Sequence, residues 1–185
     1  MHNEDELIFI KTPARNRANK FSFTDDQIKA YNGLIKFINE PYNPNDFKRA
    51  LIGAGGTGKT FLLKALLQDC NIPFSEIGLS APSHKACRVL KNSIRGTHCN
   101  VNTIQSDFGF KPNYDIEKFD INNVTFASYG RIKIEDYRLY IVDESSMLNR
   151  SLVTYIDKMM KKYSIKLLIC GDDAQIPPVN EKDSY

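Results

Sequence analysis

The chain has 185 residues, of which 42% are hydrophobic and 25% are charged, a composition typical of one well-packed globular domain. Its four cysteines lie far apart and form no C-x-x-C pair, which argues against a disulfide framework or a zinc site. No apolar stretch approaches the length that crosses a membrane, and a formal net charge of +3 is too small to establish a nucleic-acid partner by itself. We therefore expect a soluble cytoplasmic protein with reduced thiols.

The first 20 residues are predicted to form a basic leader. Four basic side chains and no acidic one occur between Lys11 and Lys20. A charge run without aromatic residues favours a solvated, mobile segment over an arm that contacts phosphates.

A helix is predicted to follow this leader. Thr24-Asp25-Asp26-Gln27 fits a capping box, and Pro41 lies beyond the expected end. Apolar residues recur at helical spacing between these limits: Ile28, Tyr31, Leu34, Ile35 and Ile38.

The segment Gly53–Thr60 matches the phosphate-binding pattern G-x-x-x-x-G-K-[ST] without a mismatch. It follows the apolar residues 50–52 and precedes a helical stretch at 61–67, which is the strand and helix context that the motif requires. Glycines let the backbone direct N–H groups at the phosphates, Lys59 reaches the β- and γ-phosphates, and the Thr60 hydroxyl binds Mg²⁺. The predicted nucleotide-binding residues are Gly53, Ala54, Gly55, Gly56, Thr57, Gly58, Lys59 and Thr60. A plain glycine-rich turn is the disfavoured alternative.

Three further strands are predicted at Ile77–Ala81, Leu139–Val142 and Ile165–Cys170. They alternate with helical stretches, which indicates an α/β fold with a parallel sheet flanked by helices. Between the last two strands, an apolar stripe is predicted to pack in the core: Leu152, Tyr155, Ile156 and Met159.

Polar residues follow these strands, where parallel sheets bind ligands. Asp143 is predicted to hold Mg²⁺, and Glu144 to orient and deprotonate the attacking water. After the last strand, Gln175 lies where its amide can meet a γ-phosphate and respond to hydrolysis. The structural alternatives are that Asp143 and Glu144 cap the next helix and that residues 171–178 form a simple turn.

The pattern changes at about residues 111–136. Val124–Ala127 and Arg131–Ile134 resemble two short strands on either side of Tyr129-Gly130. We therefore predict a small β-hairpin inserted into the α/β core.

Taken together, these motifs resemble the first motor lobe of a superfamily 1 DNA helicase, in the Dda and RecD branch that moves 5′ to 3′. The resemblance covers about residues 21–180. In chain order, its elements are Gln27 in Phe23–Gln27, the loop Gly53–Thr60, Ser80–Cys87, Val101–Ser106, Asp143–Met147 and Gly171–Val179. Two positions differ from the family pattern: Ser83 replaces a threonine, and Gln105 replaces a histidine.

The resemblance implies a RecA-like P-loop NTPase lobe at 21–185 that binds ATP and Mg²⁺. It implies that Gln27 reads the adenine, and that single-stranded DNA is contacted by Pro82, Ser83, His84 and Thr103. Lys59, Glu144 and Gln175 are the expected catalytic residues. The inserted hairpin corresponds to a strand-separating wedge, with Phe126 or Tyr129 as a candidate tip.

Family helicases place ATP between two lobes, and the second lobe supplies arginines that stabilise the transition state. We expect that lobe to be absent from this chain, which should therefore bind nucleotide with little turnover. Two other interpretations remain: a stand-alone nucleotide- or DNA-binding module, and an unrelated P-loop ATPase.

Overall fold

A computed structural model of the chain describes the backbone of residues 7–9 and the residues 22–111, 115–124 and 129–172. The strands are β1 (Leu7–Phe9), β2 (Lys48–Ile52), β3 (Ile77–Ala81), β4 (Asn100–Thr103), β5 (Leu139–Val142) and β6 (Lys166–Gly171). The α-helices are α1 (Asp25–Asn39), α2 (Lys59–Asp69), α3 (His84–Ser93), α4 (Ile104–Asp107) and α5 (Arg150–Tyr163). Short 3-10 turns occupy Phe74–Glu76, Ile116–Lys118, Ile121–Asn123 and Ser145–Met147.

The strands form one six-stranded sheet in the order β1-β2-β6-β5-β3-β4. Every neighbouring pair is parallel, with Ile52 opposite Gly171, Val142 opposite Ile169, and Ala81 opposite Thr103. The carboxyl ends of all described strands therefore meet at one edge. The predicted parallel α/β sheet is confirmed.

Side chains of successive strand residues point to opposite faces of the sheet. Both faces of the central strands are buried because each is covered by helices. In β5, Leu139 and Ile141 pack in a core with α1, α2 and α3. Tyr140 and Val142 pack on the other face against α5 and an aromatic cluster around Phe108. The predicted stripe of α5 lies in this second core, with Tyr155 partly buried at its margin.

Helix α1 is fixed at both ends. The Thr24 side chain accepts from the Gln27 amide, and the Gln27 side chain accepts from the Thr24 amide, so the predicted capping box is present. At the other end, the buried Lys166 ammonium donates to the carbonyls of Phe37 at 2.5 Å and Ile38 at 3.0 Å, and to that of Glu40. Burial lowers the pKa of Lys166, while the lysine satisfies carbonyls that a helix end leaves without partners.

Two edge strands were not predicted. Strand β4 has the polar sequence Asn-Val-Asn-Thr and lies at the edge of the sheet, where β3 is its one neighbour among the described strands. A polar edge strand lacks the apolar pattern by which strands are predicted. Strand β1 lies within the predicted leader and pairs with β2. The basic residues between 10 and 21 lie outside the described part of the chain.

The predicted hairpin strand at Arg131–Ile134 is wrong, because the structure assigns no strand to these residues. Val124, in the other predicted strand, has helical backbone angles (φ −53°, ψ −35°), whereas 125–128 lie outside the described residues. The amides of Tyr129 and Gly130 instead donate to the Gly109 carbonyl, at 2.7 and 3.0 Å. In the described residues, this segment therefore bonds to the end of α4 and to the residues that follow it.

Candidate nucleotide and nucleic-acid sites

The residues predicted to carry the chemistry meet at the carboxyl edge of the sheet. Along this edge, the P-loop follows β2, Asp172 follows β6, and Asp143 follows β5. Farther along, Pro82 follows β3, and Thr103 ends β4. The nucleotide residues thus follow β2, β6 and β5, and the predicted DNA residues follow the adjacent strands β3 and β4.

The P-loop folds as a tight curl between β2 and α2. Gly56 and Gly58 have φ angles of +78° and +85°, which are readily adopted only by glycine. The Thr57 hydroxyl donates to the Ala54 carbonyl at 2.9 Å. The Lys59 ammonium donates to the Ala54 carbonyl at 3.1 Å and to that of Gly53, so the lysine folds back along the loop.

Gln27 lies directly against this loop. Its Nε2 donates to the Thr57 carbonyl at 2.8 Å, and its Oε1 accepts from the Thr24 amide at 3.0 Å. A Cβ atom placed on Gly58 would come within 2.6 Å of Gln27 Nε2. A larger residue at position 58 would therefore have to displace the Gln27 amide from its bond to Thr57, in addition to the backbone strain of the positive φ.

The two acids after β5 have different surroundings. Burial raises the pKa of the Asp143 carboxyl, and a bond from the Glu144 backbone and the charge of Lys59 offset this only in part. Burial also raises the pKa of Glu144, as does the neighbouring Asp143, against the charge of Lys85. Glu144 adopts a left-handed conformation (φ 55°), which is costly for a non-glycine residue and concentrates at functional sites.

These residues fit a Mg²⁺–nucleotide group. Mg²⁺ prefers oxygen ligands, such as the Thr60 hydroxyl in the first turn of α2 and the Asp143 carboxylate. A cation would offset the burial of Asp143, and the glycine curl presents backbone N–H groups to phosphates. Among the described residues, no cluster of three histidine, cysteine or acidic side chains could hold a metal ion by itself.

Asp172, at the end of β6, lies against the P-loop. Its Oδ2 is 3.4 Å from the position that a Cβ atom on Gly55 would take. Gln175 is outside the described residues, and its predicted role as a γ-phosphate sensor stays a prediction.

A groove of about 520 Å³ lies beside the carboxyl ends of β3 and β4. It is lined by all four predicted DNA-binding residues and by eight others: Pro82, Ser83, His84, Thr103, Gln105, Ser106, Gly109, Phe110, Tyr129, Gly130, Arg131 and Lys133. The structure thus brings the four predicted DNA-binding residues together in one groove, and their role in binding DNA stays a prediction.

Two groove residues also stabilise helix ends. The Ser83 hydroxyl accepts from the Ala86 amide at 3.1 Å and caps α3, and the Thr103 hydroxyl accepts from the Ser106 amide at 3.2 Å and caps α4. A hydroxyl that accepts one bond keeps its hydrogen as a donor, which is the group that a phosphate oxygen needs. His84 is exposed at the first position of α3.

A buried carboxylate that the sequence did not reveal lies beneath this groove. Asp107 is fully buried and accepts from Asn102 Nδ2 and from the Tyr140 hydroxyl, both at 2.9 Å. Burial raises its pKa to about 6, although these two bonds and the charge of Lys133 oppose the shift. Asp107 thereby joins β4, β5 and α4.

Fold and sequence motifs together define a P-loop nucleotide-binding domain of the kind found in helicases. The sequence profile of the AAA domain family matches residues 37–185, and the chain belongs to this family. Its ordered motifs group it with the Pif1/RecD-like helicases of superfamily 1, as an N-terminal motor lobe. The predicted family is confirmed.

The chain is similar to several known proteins. The chain is 29% identical over 179 residues to the uncharacterised protein R530 of Acanthamoeba polyphaga mimivirus, covering 87% of this chain and 34% of that protein. It is 31% identical over 130 residues to the ATP-dependent RecD2 DNA helicase of Deinococcus radiodurans, covering 70% of this chain and 16% of the helicase. The chain thus spans about a third of the length of the first relative and less of the second. The solved structure of the PRRSV helicase aligns with 92% of this chain and 36% of its own, at 13% identity and a TM-score of 0.40.

In the described part of the chain, no helix is both long and apolar enough to cross a membrane.

Proposed function

We propose that this chain is the ATP-binding motor lobe of an ATP-dependent DNA helicase, which couples ATP hydrolysis to movement along single-stranded DNA and to duplex unwinding. The observation that carries the proposal is that the sites share one sheet edge, with the P-loop and Asp143 after β2 and β5 and the groove at the ends of β3 and β4. A motor needs a nucleotide site and a track site on the same rigid body.

At the nucleotide site, the backbone of 53–58 would bind the phosphates, and Lys59 would exchange its bonds to the loop carbonyls for bonds to phosphate oxygens. Thr60 and Asp143 would hold Mg²⁺, which neutralises charge on the phosphates when it is bound. Gln27 lies beside the loop, which supports its proposed role in reading the adenine.

Glu144 is the proposed general base. Its raised pKa brings the carboxyl closer to the operating pH, where a base that accepts a proton is most effective. Gln175 would sense the γ-phosphate.

Contacts between the two sites support coupling. The Asp143 amide donates to the Ser80 carbonyl at 2.9 Å, and Ser80 is two residues before Pro82 of the groove. In β5, Tyr140 bonds to Asp107 beneath the groove. A change at Asp143 can therefore shift the strand ends that hold the DNA residues.

The family resemblance supplies two finer parts of the proposal. Movement would run 5′ to 3′, and a second lobe would close over the nucleotide with arginines that stabilise the transition state. The 185-residue chain tested alone should therefore bind ATP and turn it over slowly.

The test is a single-turnover assay with labelled ATP and excess protein, with and without single-stranded DNA. We expect slow hydrolysis by the wild type, and hydrolysis at least about 100-fold slower in Glu144→Gln, because general bases typically contribute that much or more. Nucleotide affinity should be unchanged in this variant. Equal rates for the two proteins would contradict the role of Glu144, and fast hydrolysis without DNA would favour an unrelated P-loop ATPase.

A further inference from the structure

One wall of the groove carries residues that the helicase-like motifs do not include. This wall consists of Tyr129, Gly130, Arg131 and Lys133, and Pro82–His84 line the same groove. Tyr129 is 75% exposed, which is unusual for an aromatic side chain in a domain with a well-filled aromatic core. The side chain of Arg131 is 84% exposed and its ion pair with Glu135 lies in solvent, so the guanidinium remains available to an anion.

The wall is fixed to the groove floor by its backbone. The amides of Tyr129 and Gly130 donate to the Gly109 carbonyl, and the Lys133 amide donates to the Asp107 carbonyl at 2.9 Å. Lys133 Nζ also donates to the Ser106 hydroxyl at 3.0 Å.

Gly109 makes this arrangement possible. Its φ is +65°, and a Cβ atom there would lie 2.9 Å from the Gly130 carbonyl carbon and even closer to its oxygen. The wall therefore presents its side chains from a defined position, although it has no regular secondary structure.

The chemistry of the lining suits a single nucleic-acid strand. The described lining includes the cationic side chains of Arg131 and Lys133, the exposed ring of Tyr129, and no acidic side chain. Cations neutralise phosphates, and an exposed aromatic ring offers a platform on which any base can stack. Ser83 and Thr103 add hydroxyl donors to the lining of the same groove.

We propose that Tyr129, Arg131 and Lys133 form a second wall of the single-strand site, in which Tyr129 stacks on a base and the two cations contact phosphates. This inference rests on the proposed function, and extends it to residues outside the helicase-like motifs. Phosphates held between the two walls would fix the strand beside the carboxyl ends of β3 and β4.

The test is fluorescence anisotropy with a labelled oligothymidine of about 16 nucleotides, titrated at several salt concentrations. Tyr129→Ala should weaken binding roughly 5- to 150-fold, the range expected from the loss of one stacked base, and Tyr129→Phe should retain it. Lys133→Ala should reduce the slope of log affinity against log salt by about 0.7, the value for one phosphate contact with a single strand. Lys158→Ala removes the same charge from an exposed position of α5, outside the groove lining, and should leave the slope unchanged.

The outcomes separate this inference from the proposal on which it rests. Wild-type affinity in both Tyr129→Ala and Lys133→Ala would overturn the second wall while leaving a DNA-binding lobe. A wild-type chain that binds no oligothymidine even at low salt would overturn the track site altogether, whereas ATP binding that depends on Lys59 would still identify the nucleotide site.

Discussion

The buried carboxylate of Asp107 makes the stability of this domain depend on pH in a direction opposite to that of most carboxylates. Asp107 accepts bonds from Asn102 and Tyr140, but burial outweighs them and raises its pKa from 3.8 to about 6. The native state therefore holds this proton to a higher pH than the unfolded chain does. The contribution of Asp107 to stability is complete below about pH 4 and is lost as the pH rises through about 6.

The magnitude follows from the shift. A difference of about two pKa units corresponds to about 3 kcal/mol, of which about 2 kcal/mol falls between pH 4 and pH 8. Asp107→Asn has no titratable group at this position, yet its amide can accept from Asn102 and donate to the Tyr140 oxygen. The unfolding free energy of the variant minus that of the wild type should therefore increase by roughly 2 kcal/mol from pH 4 to pH 8.

Urea denaturation of the two proteins across this pH range measures the difference directly. Asp115→Asn is a suitable control, because a bond from Lys118 lowers the pKa of the exposed Asp115 and its small effect should have the opposite sign. A difference between Asp107→Asn and wild type that stays constant from pH 4 to pH 8 would refute the burial of a carboxylate at this position.

Three further substitutions test the packing around the sites. Gly58→Ala should reduce ATP affinity about tenfold more than Gly56→Ala. Both glycines have positive φ, but only a Cβ atom at position 58 would clash with the Gln27 side chain. Equal losses of affinity measured by calorimetry would contradict this. Asn149→Ala should destabilise the fold by roughly 2 kcal/mol, since its Nδ2 donates to the carbonyls of Ile116, Glu117 and Phe119 and its Oδ1 caps α5; an unchanged urea midpoint would refute that role. Lys166→Met should cost roughly 2 kcal/mol because the carbonyls at the end of α1 lose their donor, and a more stable variant in thermal melts would show that desolvation of the lysine dominates instead.

The parts of the fold that were predicted correctly are those with a local signal. Strands β3 and β5 are fully buried and mostly apolar, and the structure places them at the predicted Ile77–Ala81 and Leu139–Val142. The capping box of α1 and the glycine pattern of the P-loop depend on residues only a few positions apart. Their geometry is therefore encoded within short segments.

The parts that were missed depend on contacts between distant residues. The path of 129–133 is set by carbonyls of Asp107 and Gly109, more than 20 residues earlier, and the bond between Asp107 and Tyr140 joins positions 33 residues apart. An aspartate or a tyrosine in the sequence does not by itself indicate a hydrogen-bond partner so far along the chain. The groove could therefore not be predicted from the sequence, because it depends on the pairing of the polar strand β4 with β3.

The most direct test of the nucleotide site is Mg²⁺-ATP binding to the 185-residue chain by calorimetry, with Lys59→Ala and Lys29→Ala in parallel. Lys29 is exposed on α1 and lies outside the P-loop, so Lys29→Ala is a control that removes the same charge. Lys59 should contribute charge-assisted bonds to phosphate, so we expect wild-type binding that Lys59→Ala weakens at least about tenfold and Lys29→Ala leaves intact. A wild-type chain that binds no Mg²⁺-ATP, or a Lys59→Ala variant that binds it equally well, would contradict the account.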